Sequence, residues 1–265
     1  MSEKLEAAPV NLESSGETNL SALKRTLDIG FLDLGCSAGD SLLKGREMWQ
    51  CNGVGIDLDA AKVTRAVEEG RLAFQADART IHEDGASFRV VQGVHFLEHL
   101  PDLETALAVV ASAARMCSEA IFFRQPWFDA DESLASIGLK LYWSDWTGHP
   151  NHMSAADLVK ALEALVAEGP LQHFAVWGCD PIRSSDHPSV HPLSSPMDQH
   201  QYEESAHGPK PLAEPFDFPV YRECVAAGFV SVTSSAAIEI REQAKSWHLI
   251  ASSMSPSLQQ RLLSA

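Results

Sequence analysis

Phe31-Leu32-Asp33-Leu34-Gly35-Cys36-Ser37-Ala38-Gly39 is the stretch that decides the architecture of this chain. An apolar run from Ile29 to Leu34 stops at a glycine-bearing turn, and residues 38–49 continue with helical spacing. A short buried strand that passes through a tight turn into a helix is the opening unit of a parallel α/β sheet. Glycine lets the backbone take positive φ and approach a ligand closely, while the first turn of the next helix offers unpaired N–H groups. The spacing Asp33-x-Gly35-x-x-x-Gly39 lacks the G-x-G-x-x-G pattern that aims a helix end at a pyrophosphate, which disfavours NAD-linked redox chemistry. An acid at the strand end, just ahead of the first glycine, suits a ligand that carries an ammonium group.

The same grammar repeats outward from the loop. Gly53-Val54-Gly55-Ile56-Asp57 reads as a second strand that stops at an acid, followed by a helix from Ala60 to Glu69 with Gly70 as its C-cap. Leu72 to Asp77 is a third strand ending in an acid, and Phe88 to Val94 a fourth. Pro101-Asp102 starts a helix whose apolar positions Leu103, Leu107, Val110 and Ala114 keep helical spacing. Ala120 to Phe123 is a fifth strand. Ser154-Ala155-Ala156-Asp157 resembles a capping box with Met153 and Leu158 as a hydrophobic staple, opening a helix with a Leu158, Leu162, Leu165 stripe. Leu171 to Val176 and Ser246 to Ala251 supply the remaining strands. The pattern predicts an α/β doubly wound, Rossmann-like sheet, mostly parallel with an antiparallel last strand. Ligands of such sheets bind beyond the carboxyl ends of the strands, where Asp33, Asp57 and Asp77 all stand. Residues 1–20 read as a flexible N-terminal arm and residues 21–265 as one domain. Within it, residues 180–219 form a Pro/Ser/His-rich insertion or lid.

Composition narrows the partners. The 265 residues are 45% hydrophobic, enough for a substantial core, and 36 acidic against 20 basic side chains give a formal charge of −16. That field repels phosphate backbones and anionic lipid, so nucleic acid and membrane surfaces are disfavoured. Five scattered cysteines form neither a CxxC pair nor a zinc spacing, consistent with reduced thiols. The start, Met1-Ser2-Glu3-Lys4-Leu5-Glu6, has no signal-peptide pattern, and no apolar run approaches the ~20 residues that span a bilayer. A cytoplasmic location is expected.

The loop Phe31 to Gly39 resembles the first motif of class I S-adenosylmethionine (SAM)-dependent methyltransferases. Gly55-Ile56-Asp57 resembles their second motif, Gln75-Ala76-Asp77-Ala78 the third, and Val90 to Leu100, ending in Leu97-Glu98-His99-Leu100, the fourth. The resemblance runs over about residues 28–165, with the strand near 247–252 also fitting. It implies SAM as cofactor. Asp33, Gly35, Cys36, Ser37 and Gly39 would form the loop around it, Asp57 would accept from both ribose hydroxyls, Leu58 would also bind the cofactor, Asp77 and Ala78 would meet the adenine, and Gly93, Val94 and His95 would border the methionine end. Taken singly, Asp33 reads as a helix cap, and Asp57 and Asp77 as turn-closing acids. The implied activity is methyl transfer by in-line displacement to a small or medium-sized acceptor, at oxygen or nitrogen. A catalytically silent SAM-binding or protein-interaction module is the competing reading, and a metal-assisted RNA 2′-O-methyltransferase a minor one.

In-line displacement demands alignment and a dry site more than a fixed catalytic set, though a base helps a hydroxyl or protonated amine. His95, Glu98, His99, His149 and His152 are candidate bases, with His99 and His152 foremost. Some O-methyltransferases of this fold carry Glu-x-x-Glu-His at the fourth motif and bind a divalent metal. Here His95 stands in place of the first Glu, so a local bracing role for Glu98 and His99 is favoured and no metal is expected. Trp127, Phe128, Tyr142, Trp143 and Trp146 follow the fifth strand and either wall an acceptor pocket or pack the core. His187, His191, His200 and His207 in the insertion are expected to be solvated.

Overall fold

Mainly apolar runs become five strands, the central ones buried on both faces as a parallel sheet requires: β1 (Ile29–Leu34), β2 (Asn52–Asp57), the short edge strand β3 (Ala73–Gln75), β4 (Phe88–Val94) and β5 (Cys117–Pro126). The computed structural model describes residue 20, residues 27–81 and residues 87–263; the arm expected over residues 1–20 lies, Leu20 aside, outside the described residues. The five strands lie parallel in the order β5-β4-β1-β2-β3, so the direction of winding reverses between β1 and β4. That reversal opens a crevice at their carboxyl ends.

Helices α1 (Asp40–Trp49), α2 (Ala60–Glu68) and α3 (Leu103–Met116) make the crossovers. Their starts follow local chemistry. Asp59 accepts from the Ala61 and Lys62 amides to begin α2, and Asp102 accepts from the Thr105 amide at 2.7 Å to begin α3. After β5 come α4 (Asp131–Ser136) and β6 (Leu139–Leu141), then α5 (Ala155–Glu168). The capping box at α5 forms as expected, with Ser154 and Asp157 bonding reciprocally and Met153 and Leu158 both buried.

The carboxyl-terminal half departs from expectation. It contains β7 (His173–Pro181), β8 (Val190–Pro192), α6 (Glu204–His207), β9 (Tyr221–Phe229), α7 (Ser235–Ala244), β10 (His248–Ser252) and α8 (Pro256–Leu263). The full sheet order is β10-β7-β9-β5-β4-β1-β2-β3. The expected antiparallel last strand exists as β10, at the edge against β7. A second antiparallel strand, β9, is wedged between β5 and β7 and pairs with both. Its sequence gave no sign of this because it is buried on both faces, so nothing alternates, and Ala226-Ala227-Gly228 has weak strand propensity.

The 180–219 insertion is built into the fold. β8 pairs antiparallel with β6, and the buried Lys140 ammonium donates to the Ser195 carbonyl and the Asp145 carboxylate. His191 and His207 are buried, which corrects their expected solvation; His187 is half-buried and His200 exposed. β6 provides the pairing edge that an isolated insertion would lack.

Apolar side chains cover both faces of the sheet. On one, Leu32, Leu34, Val54 and Ile56 meet Val109 and Val110 of α3 and Leu158 and Leu162 of α5. On the other, Phe31, Phe122 and Trp177 meet Trp49 of α1, Val63 of α2 and Ile240 of α7. Each such buried side chain contributes roughly 1.5–3 kcal/mol. Among the described residues no helix is long and apolar enough to cross a membrane.

Candidate active site

A cleft of about 740 Å³ opens at the crevice, lined by the Gly35–Ala38 loop, Asp57, Leu58, Asp77, Ala78, Val94, His95, Phe96 and His99. The loop's shape is set by its backbone. Gly35 has φ 68°, Ser37 φ 51° and Gly39 φ 91°. At Gly35 a Cβ would stand 2.2 Å from the Phe96 ring, so both conformation and space require glycine. The Cys36 amide donates to the Ile56 carbonyl at 2.9 Å, which fastens the loop to β2. Burial, with the nearby Asp33 and Asp57 charges, pushes the Cys36 thiol up to about 12, so it packs as a protonated group.

Asp57 is clamped at the lip of this cleft. The Ser37 amide donates to its Oδ2 at 2.8 Å and the Asp59 amide to its Oδ1 at 2.9 Å. Each oxygen keeps a lone pair for a ligand. Asp77 also lines the cleft, and the Arg79 side chain, which holds it at 2.9 Å through Nε, keeps its carboxyl below the usual range.

Asp33 is not part of the lining. It is 0% exposed beneath the loop, accepting from Ser41 Oγ at 2.5 Å and Gln92 Nε2 at 2.9 Å. Gln92 in turn accepts from Trp49 Nε1 at 2.6 Å. Burial pushes the Asp33 carboxyl up to about 6 against those two donors. The ammonium contact expected of it is therefore corrected: Asp33 braces β1, α1 and β4 from within. Gly39 and Gly93 likewise sit behind the lining, Gly39 as the N-cap of α1 and Gly93 within β4.

At the end of β4, His95 turns with φ 51°, and its Nε2 meets Glu223 Oε1 at 2.9 Å while Nδ1 meets Glu98 Oε1 at 3.3 Å. Glu223, on β9, also accepts from Arg124 Nε at 2.7 Å. Burial disfavours the His95 cation, but the Glu223 and Glu98 hydrogen bonds outweigh it and push the imidazole up to about 9. Burial likewise works against the Glu223 anion, yet His95 and Arg124 hold it down at about 2. His95 is thus a standing cation at neutral pH, which removes it from the candidate bases.

A second cleft of about 340 Å³ shares His95 and His99 with the first and is lined by Glu98, Tyr142, Trp143, Trp146, His149, His200, Arg222 and Glu223. The 3₁₀ turn Leu97–His99 is laced to the 148–151 loop: His99 Nδ1 donates to the Gly148 carbonyl at 2.6 Å, and Asn151 Nδ2 donates to the Leu97 carbonyl at 2.9 Å. His149 Nδ1 donates to the Trp143 carbonyl at 2.9 Å, and burial lowers its basicity.

A large cofactor-sized cleft beside a smaller aromatic one, at the switch point of this sheet, suits group transfer between two ligands. The family model described as "Methyltransferase domain" matches residues 13–165. The chain belongs to the methyltransferase-domain family. No curated protein matches this methyltransferase in sequence. Among solved structures it is similar to a SAM-dependent methyltransferase from Archaeoglobus fulgidus, at 17% identity over 79% of this chain and 91% of that one, with a TM-score of 0.51. It is also similar to the magnesium protoporphyrin IX methyltransferase of Synechocystis PCC 6803 with bound SAH, at 14% identity over 80% of each chain and a TM-score of 0.44. At such identities the likeness to the first is one of fold, and the fold is the class I methyltransferase sheet.

The structure sorts the remaining site expectations for the methyltransferase. His99 stands where the two clefts meet. His152 lines neither; it stacks on Phe128 at 4.3 Å and its Nδ1 lies 3.3 Å from Asp131, so it is corrected from candidate base to surface packing residue. The turn at Pro150-Asn151 carries it away, and His149 takes the inward place. Tyr142, Trp143 and Trp146 wall the second cleft, whereas Trp127 and Phe128 belong to the core. Glu223, Arg124 and Arg222 were not anticipated. Arg124, next to the fifth-strand run, could have been found as a cation at a strand end; Glu223 sits on the strand that the sequence concealed.

Proposed function

We propose that this methyltransferase binds SAM in the larger cleft and methylates a small acceptor, at oxygen or nitrogen, held in the smaller one. The observation that carries this reading is Asp57, whose carboxylate is fixed at the lip of the cleft by two backbone donors, one of them Ser37 of the glycine loop that lines the same cleft. The donor set fits SAM. Asp57 offers acceptors for the two ribose hydroxyls, with Leu58 beside it; Asp77 and Ala78 offer an acceptor and an apolar wall for adenine. The Gly35-Cys36-Ser37 backbone, with Val94 and His95, borders the remaining space for the amino-acid end. When bound, SAM supplies a methyl group on a sulfonium.

The chain's own work is alignment and exclusion of water. Tyr142, Trp143 and Trp146 give the acceptor apolar contact with few rotors to freeze. Glu98, His99 and His149 present the polar groups at the junction of the clefts, where the acceptor's reacting atom belongs. The His95 cation, locked between Glu98 and Glu223, sets the shape of that junction without exchanging protons at neutral pH.

Calorimetry with SAM, SAH and NAD in parallel tests the reading. SAM and SAH should bind and NAD should not. Nicotinamide binding, or no binding of either adenosyl ligand by folded protein, refutes it. SAM binding with no methylated product across a panel of alcohols, phenols and amines would instead favour the silent-module reading.

A further inference from the structure

Glu98, His99 and His149 each bring one ligand-capable atom to within 4.8 Å of the others. The sequence alone grouped Glu98 and His99 with His95, but His95 is spent on Glu223, and His149 arrives from 50 residues downstream of His99 instead. The geometry points to a site for one divalent transition-metal ion on these three residues.

Three observations carry this. First, both imidazoles are set in the ligand tautomer. A carbonyl only accepts, so His99 Nδ1 carries its proton toward Gly148 at 2.6 Å and His149 Nδ1 toward Trp143 at 2.9 Å. With the proton on Nδ1, the neutral form of each ring has its lone pair on Nε2, and backbone partners of this kind are what orient metal-bound histidines. Second, Glu98 is 1% exposed, and its Oε2 has no hydrogen-bond partner among the described residues. Leaving a buried carboxylate oxygen unpaired costs free energy that a bound cation would recover. Third, the cluster stands in the second cleft, so a bound ion would keep positions open toward it.

Two imidazole nitrogens and one carboxylate oxygen suit Mn²⁺, Fe²⁺, Co²⁺ or Zn²⁺ better than Ca²⁺ or Mg²⁺, which prefer all-oxygen sets. Ligand atoms about 2.1 Å from a shared ion lie at most ~4.2 Å apart, so a side-chain shift on the order of 1 Å closes the site. The ion's open positions would take an oxygen of the acceptor, which selects hydroxyl-bearing acceptors over amines. That last step rests on the methyl-transfer reading; ion binding itself does not.

The test is titration of chelator-treated full-length protein with Mn²⁺ and with Zn²⁺ by calorimetry, with metal content measured after gel filtration and SAM affinity measured on the same samples. One ion per chain is expected. Glu98→Gln and His149→Ala should each weaken binding at least about tenfold, with His99→Ala replacing Glu98→Gln should the buried substitution prevent folding. His200→Ala, at the same cleft but outside the cluster, should leave the ion affinity unchanged. Folded wild-type protein that takes up no stoichiometric ion overturns the site, as does full affinity in the cluster variants or an equal loss in His200→Ala. Ion binding that persists where SAM binding is absent would leave the metal site standing and remove the methyl-transfer reading.

Discussion

Replacing Asp57 with alanine is the sharpest probe of the cofactor cleft. The carboxylate is held by the Ser37 and Asp59 amides at 2.8 and 2.9 Å, so its orientation is fixed before any ligand arrives. A hydrogen bond to a charged acceptor contributes roughly 1.5–3 kcal/mol, so two ribose hydroxyls stand to lose ~3–6 kcal/mol. Asp57 is only partly buried, and water replaces some of the loss, which puts the expected weakening of SAM at ~10²–10³-fold. Asp57→Asn retains one acceptor oxygen and should fall between, at about tenfold. The two backbone donors released by the alanine are near solvent, so the fold should survive; circular dichroism melting checks this. Calorimetric titration of SAM and SAH into each variant reads the effect. A folded Asp57→Ala protein that binds SAM within about threefold of wild type (~0.65 kcal/mol) would place the ribose elsewhere and end the argument.

Other perturbations separate the parts of the site. Gly35→Ala forces a side chain into a φ of 68° and against Phe96, so SAM affinity should drop at least about tenfold while the melting temperature falls by only a few degrees. Asp33 titrates near 6 in the folded chain and near ~3.9 unfolded, so it favours the fold below pH ~4 and loses that advantage as pH rises through 6. Asp33→Asn lacks this titration; urea unfolding should show wild type losing up to ~3 kcal/mol relative to the variant between pH 4 and 7, and a pH-independent difference would refute the buried-carboxyl account. Glu223→Gln leaves Arg124 without its anion and His95 with Glu98 alone, which should cost ~2–4 kcal/mol in chemical denaturation after allowance for the partial exposure of His95.

The parallel half of the fold was legible because each of its rules is local. Strand, glycine turn and capped helix follow one another within a few residues, and Asp59, Asp102 and Ser154 cap their helices within three residues of themselves. The loop acids were legible as a group but not in their roles. Asp33 and Asp57 look alike in sequence, and only the three-dimensional neighbours Ser41 and Gln92 bury the first while the second is left at the cleft. The second cleft was the least legible. One of its histidines, His149, stands on a loop that Asn151 ties back to the Leu97 carbonyl, and nothing local in the sequence distinguishes it from His152. The strand that closes the cleft, β9, has no periodicity to read.

The two clefts therefore answer to different parts of the chain. The larger cleft is made where β1, β2 and β4 end, with backbone donors and strand-end acids at its lining. The smaller cleft is made by the connector after β5, the insertion, and β9, through Tyr142, Trp146, His200 and Arg222. They meet at one joint, where His95 on the β4 end binds Glu223 on β9 and Glu98 on the intervening turn. If the smaller cleft holds the acceptor, as proposed, acceptor choice resides in the segments least bound by the rules of the sheet, as function on a common fold generally does.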